Sequence, residues 1–128
     1  MNTHKQEYEL EQRRYNFVRI WGRRYNHMSL RAAGTTTNKS HAAGKEILSR
    51  EEFMEWCKDK DNMDAFISMY FDWMQNDFAL WYCPSIDRID PEKGYTKDNI
   101  QWMVFSENCE KNHKDPITHA QLKEGVYE

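Results

Sequence analysis

Polar side chains that can bind cations and phosphates are concentrated between residues 85 and 114 of this chain. They are Asp87, Arg88, Asp90, Lys93, Asn99, Asn108, Lys111, Asn112 and His113. Carboxylate and amide oxygens are the ligands that Mg²⁺ and Mn²⁺ prefer, whereas Zn²⁺ usually takes sulfur and nitrogen. One carboxylate and one amide oxygen would leave most coordination positions to water and phosphate, as phosphodiester hydrolysis requires. These residue types are also common in turns and helix caps, so spacing alone does not establish a metal site, and a structural role is the simpler interpretation.

Two strands and a helix are predicted to position this set. Residues 85–89 and 100–104 have the composition of short strands, and Pro91-Glu92-Lys93-Gly94 between them is typical of a turn. Ser106 is expected to cap a final helix that runs over about 107–114. The order of these elements is strand, turn, strand, helix, which is a ββα unit.

The alternation of side chains along a strand determines which of them can meet the helix. Ile86 and Arg88 are expected on one face of the first strand, and Asp87 and Ile89 on the other. If the helix packs on the strands, the Asp87 carboxylate and the Asn108 amide oxygen can converge on one hard divalent cation.

Helices are predicted for the preceding part of the chain. The first covers about 4–30, because apolar residues recur at helical spacing. Two more are predicted, over 49–58 after a Ser-x-x-Glu capping box and over about 63–75. Residues 32–48 lack periodicity and are predicted as a flexible loop. The stripe on the first helix consists of Leu10, Phe17, Trp21 and Met28, with Val18 and Tyr25 at its margins.

The predicted elements define the fold class as α+β, with a helical N-terminal part followed by a C-terminal ββα unit. Residues 1–48 would form a basic helical arm with its loop. Residues 49–128 would hold the other helices and the ββα finger, which spans 85–114. With 128 residues, we expect the arm and the finger region to form one compact unit.

The net charge of −3 hides an uneven distribution along the chain. Residues 1–50 carry ten Lys and Arg against four Asp and Glu, and residues 51–92 carry three against eleven. A basic segment can face a phosphate backbone even in an acidic protein, although solvated surface is the simpler role for any single residue. The candidate DNA-binding residues are Arg13, Arg19, Arg23 and Arg24 on the first helix, and Lys93, Lys97 and Lys111 in the finger.

Several classes of protein are not expected. No apolar run reaches the length of a membrane span, and the N-terminus lacks the apolar stretch of a secretory signal. Cys57, Cys83 and Cys109 form no Cys-x-x-Cys pair, so we expect reduced cytoplasmic thiols and no zinc site. The glycine motifs of nucleotide-binding loops and the Gly-x-Ser-x-Gly of hydrolases are absent.

The segment PSIDRIDPEKGYTKDNIQWMVFSENCEKN resembles the core of HNH, or His-Me finger, endonucleases of phages and mobile elements. The resemblance lies in Ser-Ile-Asp-Arg-Ile-Asp, then Gly-Tyr, then Asn, then Trp, and it covers about a quarter of the chain, 84–114. It implies that Asp87 and Asn108 bind one Mg²⁺ or Mn²⁺ ion. It also implies that Asn99 fixes the loop between the strands by hydrogen bonds and that Trp102 packs in the second strand.

The chain departs from this family at the position after the strand aspartate, where the usual catalytic His is replaced by Arg88. Arginine stays protonated and cannot serve as a general base, but it suits a phosphate or a pentacovalent transition state. Three accounts are open. Another residue is the base, with Asp90 and His113 nearest in sequence; the metal ion activates water without a side-chain base; or the fold is a binding module without cutting activity.

The sequence therefore predicts a metal-dependent DNA endonuclease or nicking enzyme of HNH type that acts on the duplex backbone. Whether the chain is an active enzyme stays open because of Arg88. One alternative is a non-cleaving DNA-binding protein on the same fold. Another is a phage protein that binds a host protein through the acidic segment 51–92. A phage origin would place it in the cytoplasm of a bacterial host.

Overall fold

The computed structural model describes residues 3–34 and 42–112 of the chain, with the side chains of 16–34 and 42–111. Within these residues it is a mixed α+β structure of four helices and one two-stranded antiparallel sheet, and the helical part comes first. This confirms the predicted class. None of the helices in the described part is long and apolar enough to cross a membrane. Residues 113–128, which include the end of the predicted finger, lie outside the described residues.

Helix α1 (Thr3–Ala33) is the longest element, and it extends a few residues beyond the predicted range. Its inward stripe includes Trp21 and Met28, which are 3% and 1% exposed. Val18, expected at the margin of the stripe, is instead exposed. Gly34 follows the helix with a φ of 73°, the left-handed conformation that ends many helices and that glycine adopts without strain.

Helices α2 (Arg50–Lys58) and α3 (Lys60–Gln75) form the next layer of the structure. The predicted capping box begins α2: the Ser49 hydroxyl accepts from the Glu52 amide, and the Glu52 carboxylate accepts from the Ser49 amide. The bond that the Ser49 amide donates to the Glu52 carboxylate lowers the pKa of that carboxyl group. Helix α3 begins three residues earlier than predicted, directly after Asp59.

Strands β1 (Pro84–Arg88) and β2 (Ile100–Val104) pair in a register that sets Ile86 opposite Trp102 and Asp87 opposite Gln101. Helix α4 (Phe105–Asn112) follows β2 without a break. The expected cap at Ser106 is therefore wrong. The Phe105 amide donates to the Cys83 carbonyl oxygen, which ties the first helical residue to the chain before β1.

The main core is aromatic and joins residues of α1, α2, α3 and both strands. Phe66 of α3 lies at its centre, with ring centroids 4.8 Å from Trp102 and 5.7 Å from Trp21.

A smaller cluster contains Phe105 with Cys83 and Cys109. The three cysteines are all buried and form no disulfide in the described chain. Burial raises the pKa of Cys57, and it raises the pKa of Cys109 to about 11.

Residues 46–48, which belong to the predicted flexible loop, are paired with the loop between the strands. Ile47 forms a parallel bridge with Tyr95, the Leu48 amide donates to the Tyr95 carbonyl, and the Tyr95 amide donates to the Glu46 carbonyl. Gly94 lies directly against this segment. A Cβ at that position would come within 2.7 Å of the Glu46 amide nitrogen and closer still to its carbonyl oxygen.

We expect Gly94→Ala to lower the free energy of unfolding by about 1–3 kcal/mol or more, because the obstructing atoms are backbone. Urea unfolding followed by circular dichroism measures this. Gly22→Ala is the control: its Cβ would meet only the end of the flexible Arg50 side chain, and alanine favours the helix by up to about 1 kcal/mol. A Gly94→Ala protein as stable as the wild type would contradict the close contact.

Candidate metal and phosphate site

The candidate site lies between strand β1 and helix α4. Ile86 on one face of β1 belongs to the main core. Ser85 and Asp87 alternate with it, and both contact α4: Ser85 meets Asn108 and Asp87 meets Lys111. Because Asn108 and Lys111 are three residues apart on the helix, they share a face. The predicted alternation thus brings the strand carboxylate and the helix amide to one side of the sheet.

Asp87 is a buried carboxylate, with 1% of its surface exposed. Its Oδ2 accepts from Lys111 Nζ at 2.7 Å and from Gln101 Nε2 at 2.9 Å. Lys111 Nζ also donates to the backbone carbonyls of Arg88 and Ile89, at 3.0 and 3.2 Å. An ammonium group therefore lies in a cradle of three oxygens, which we call the Asp87 cradle.

Asn108 of α4 contacts β1 at the residues that precede Asp87. Its Nδ2 donates to Ser85 Oγ at 3.0 Å and to the Ile86 carbonyl at 3.3 Å. Ser85 Oγ in turn donates to the Met103 carbonyl across the sheet, at 2.7 Å. Asn108 is thus held against β1 at Ser85 and Ile86, the residues that precede Asp87, and its amino group is directed at the strand.

Arg88 points into the loop between the strands. Its Nη1 donates to the carbonyls of Pro91 and Lys93, at 2.6 and 3.0 Å, and its guanidinium carbon lies 5.6 Å from the centroid of the Tyr95 ring. The expected phosphate ligand therefore also has a structural contact with the loop. The planar guanidinium holds its N–H donors in a fixed arrangement, which suits these two bonds to the loop carbonyls.

Asn99 fixes the same loop with its whole amide group. Its Oδ1 accepts from the Asp90 amide at 2.8 Å, and its Nδ2 donates to the carbonyls of Asp90 and Gly94, at 3.0 and 2.8 Å. Asp90 Oδ1 accepts from the Glu92 amide in a local turn. The candidate base Asp90 is thus at the start of the loop. Trp102 is 6% exposed and packs against Phe66.

The expected basic residues fall into different environments. Arg19 and Arg23 are exposed on α1, and Lys93 is exposed on the loop. Lys97 is exposed too, with its Nζ 3.5 Å from Glu52 Oε2. Lys111 is engaged in the Asp87 cradle.

The expected position of Arg24 on a DNA-binding surface is corrected by the structure. Arg24 is 3% exposed, and its Nε donates to the Pro84 carbonyl at 2.7 Å. It lies between Trp21 and Met28 on the inward face of α1, so its charge does not reach the surface. The side chain of Arg13 and the whole of His113 lie outside the described residues.

Two residues of the site region were missed in the sequence. Gln101 contacts Asp87, and the antiparallel register, with Asp87 opposite Gln101, is the signal that could have found it. Arg50 is exposed and lies over α1, where it donates to Asn26 Oδ1 and where its guanidinium carbon is 5.1 Å from the Tyr25 ring centroid. Nothing in the sequence relates Arg50 to that face.

A divalent ion at this site would depend on few charged ligands. Within residues 3–34 and 42–112, no three His, Cys, Asp or Glu side chains are grouped to hold a metal ion. The oxygen ligands on offer are the Asp87 carboxylate, the carbonyls of Arg88 and Ile89, and the amide of Asn108, which contacts the same strand at Ser85. An oxygen set of this kind fits Mg²⁺ or Mn²⁺ with several waters, and does not fit Zn²⁺. The ammonium in the Asp87 cradle indicates that these oxygens accommodate a cation.

Comparison of the chain with protein-family models, with curated proteins and with solved structures finds no match.

We expect Asn99→Asp to lower the free energy of unfolding by at least about 2 kcal/mol at pH 7, because the new carboxylate oxygen would face two carbonyls. This environment raises the folded-state pKa of the new group above its unfolded value. The deficit should therefore shrink as the pH falls toward about 4, where the group binds a proton. Urea unfolding at both pH values measures this.

The control for this experiment is Asn16→Asp, at an exposed asparagine in the middle of α1. Its stability should change by no more than about 0.5 kcal/mol. Equal effects of the two substitutions would mean that Asn99 does not hold the loop.

Proposed function

We propose that this chain is a metal-dependent DNA endonuclease or nicking enzyme of HNH type, whose β1, β2 and α4 form the His-Me finger. The observation that carries the proposal is the Asp87 cradle: a buried carboxylate, on a strand packed against a helix, beside oxygens that already surround a positive charge. The resemblance of residues 84–114 to that family supports the same conclusion independently of the contacts.

Asp87 and Asn108 are the residues that would hold the Mg²⁺ or Mn²⁺ ion. When bound, such an ion polarises the phosphate and lowers the pKa of a coordinated water. Asp87 supplies the charge, and its burial excludes competing water from one side. Ser85 and Gln101 act as positioning residues, since Ser85 binds the Asn108 amide and Gln101 binds the Asp87 carboxylate.

Arg88 occupies the position at which the family has its catalytic histidine, and it would bind the scissile phosphate. Because its Nη1 is engaged by two loop carbonyls, the phosphate would be met by Nη2 or Nε. A guanidinium held in this way stabilises developing negative charge without reorganising. The proton of the attacking water would pass to Asp90 or His113, or to solvent.

The DNA backbone would lie along a band of basic side chains that ends at the site. Arg19 and Arg23 lie four residues apart on α1, and Arg50 lies over the same face, at Asn26. The band continues through Lys97, which contacts α2 at Glu52, to Lys93 on the loop that Arg88 holds. Contacts of this kind position a duplex without reading its sequence.

A non-cleaving DNA-binding protein is the second candidate, and one contact favours it. Lys111 Nζ fills the Asp87 cradle. If this contact persists with DNA bound, the site cannot take a metal ion. Of the Asp87 site and the basic band, only the basic band would then be functional.

We expect purified protein to nick a plasmid in Mg²⁺ or Mn²⁺, and EDTA to stop the reaction. Asp87→Asn and Asn108→Ala should each lower the nicking rate at least about hundredfold, because each removes a ligand. Their DNA affinity should remain near that of the wild type. The plasmid should carry DNA from the source of the protein, in case the target site is specific.

The matched control is Asp98→Asn, an exposed carboxylate in the loop between the strands. It should nick at the wild-type rate. Undiminished nicking by both Asp87→Asn and Asn108→Ala would exclude the metal assignment. Salt-sensitive DNA binding without nicking, on a plasmid with the correct site, would favour the non-cleaving candidate.

Charge reversal tests the basic band. We expect the double variant Arg19→Glu, Arg23→Glu and the single variant Arg50→Glu each to weaken duplex binding at least about tenfold, because phosphate contacts are lost. The same loss should reduce the salt dependence of binding. Fluorescence anisotropy over a series of salt concentrations measures both quantities. Lys60→Glu, at an exposed lysine whose side chain pairs with Asp64 on α3, is the control.

Unchanged affinity in both variants would remove the α1 face from the proposal. Weak DNA binding with little salt dependence in the wild type would instead favour a host protein as the partner of the acidic segment 51–92.

A further inference from the structure

We propose that Lys111 is a built-in competitor for the divalent ion: its ammonium group occupies the cation position beside Asp87 and leaves when the ion binds. This inference rests on the proposed function, because it concerns the metal site of that function. It assigns to Lys111 a role in metal binding in place of the DNA contact expected from the sequence.

The fit between the ammonium group and the cradle is the first observation. Lysine has three N–H donors, and Lys111 Nζ has three oxygen acceptors within 3.2 Å: Asp87 Oδ2 and the carbonyls of Arg88 and Ile89. Carboxylate and carbonyl oxygens are also the ligands of a hard divalent cation. The same oxygens can therefore serve either cation.

The second observation is the burial of Asp87. Its side chain is 0% exposed, and an ionised carboxylate in the interior needs a partner of opposite charge. Lys111 supplies that charge when no metal ion is present. Once a divalent ion binds Asp87, the ammonium is no longer needed there, and the two positive charges repel each other at close range.

The third observation is that Lys111 has a route out. Its side chain is 33% exposed, whereas the Asp87 side chain is not exposed at all. A lysine stem can carry its ammonium group to solvent by rotating about several bonds while helix α4 stays in place. Metal entry therefore needs no rearrangement of the sheet or the helix.

This arrangement makes metal binding weaker than the ligands alone would allow. The metal-free protein is stabilised by the Lys111–Asp87 pair, and each ion bound must displace that pair. Removing the positive charge at 111 should therefore strengthen metal binding and make the stability of the protein depend on metal.

The test is the affinity of the full chain for Mn²⁺, without DNA, by isothermal titration calorimetry. We expect Lys111→Met to bind Mn²⁺ at least about tenfold more tightly than the wild type, since a nearby like charge is lost. Lys111→Arg, which keeps the charge, should bind as weakly as the wild type. Lys58→Met, at an exposed lysine at the end of α2, should leave the affinity unchanged.

A thermal scan with and without Mn²⁺ gives a second measurement. Lys111→Met should be less stable than the wild type in EDTA and should gain more stability from Mn²⁺. If Lys111→Met is unfolded in EDTA, Mn²⁺ should restore its helical circular dichroism, and failure to restore it would contradict the inference.

The outcomes separate this inference from the proposed function. Equal Mn²⁺ affinities of wild type and Lys111→Met, together with metal-dependent nicking by the wild type, would overturn the competition and leave the nuclease intact. An absence of Mn²⁺ binding by any folded variant, together with an absence of metal-dependent nicking, would overturn both.

Discussion

Asp87 lies in the interior of the protein, and a carboxylate there requires donors in place of the water it has lost. Gln101 provides one donor from the neighbouring strand, and Lys111 provides another from α4. The first depends on the register of β1 and β2, and the second depends on α4 lying across the sheet. One buried charge thus links the strand register, the packing of α4 and the chemistry proposed for the site.

The loop between the strands connects this buried charge with the outer surface of the protein. Asn99 and Arg88 bind the backbone of the loop from inside, and Gly94 brings it against the segment before α2. Lys97 then meets Glu52 on α2, and Arg50 on the same helix meets α1. A continuous series of contacts therefore connects the candidate site with the basic band, as the proposed positioning of a stiff duplex requires.

Local signals in the sequence were sufficient for most elements but not for their contacts. The capping box at Ser49 and the apolar spacing of α1 and α3 predicted these helices to within a few residues, and both strands were placed within one residue. The partners of Arg24 and Lys111 could not be predicted, because Pro84 lies 60 residues from Arg24 and Asp87 lies 24 residues from Lys111. Helical spacing shows which face a side chain occupies, but whether a charge on that face is buried depends on tertiary packing.

The most direct test of the metal site is an anomalous difference map from crystals grown with Mn²⁺ and a short DNA duplex. The proposed function predicts a peak within coordination distance of a carboxylate oxygen of Asp87, about 2.0–2.3 Å, with Asn108 beside it and the Lys111 ammonium displaced toward solvent. A map with no peak near Asp87, in which Lys111 still binds its carboxylate while DNA lies along the basic band, would contradict a metal-dependent nuclease and leave a DNA-binding protein.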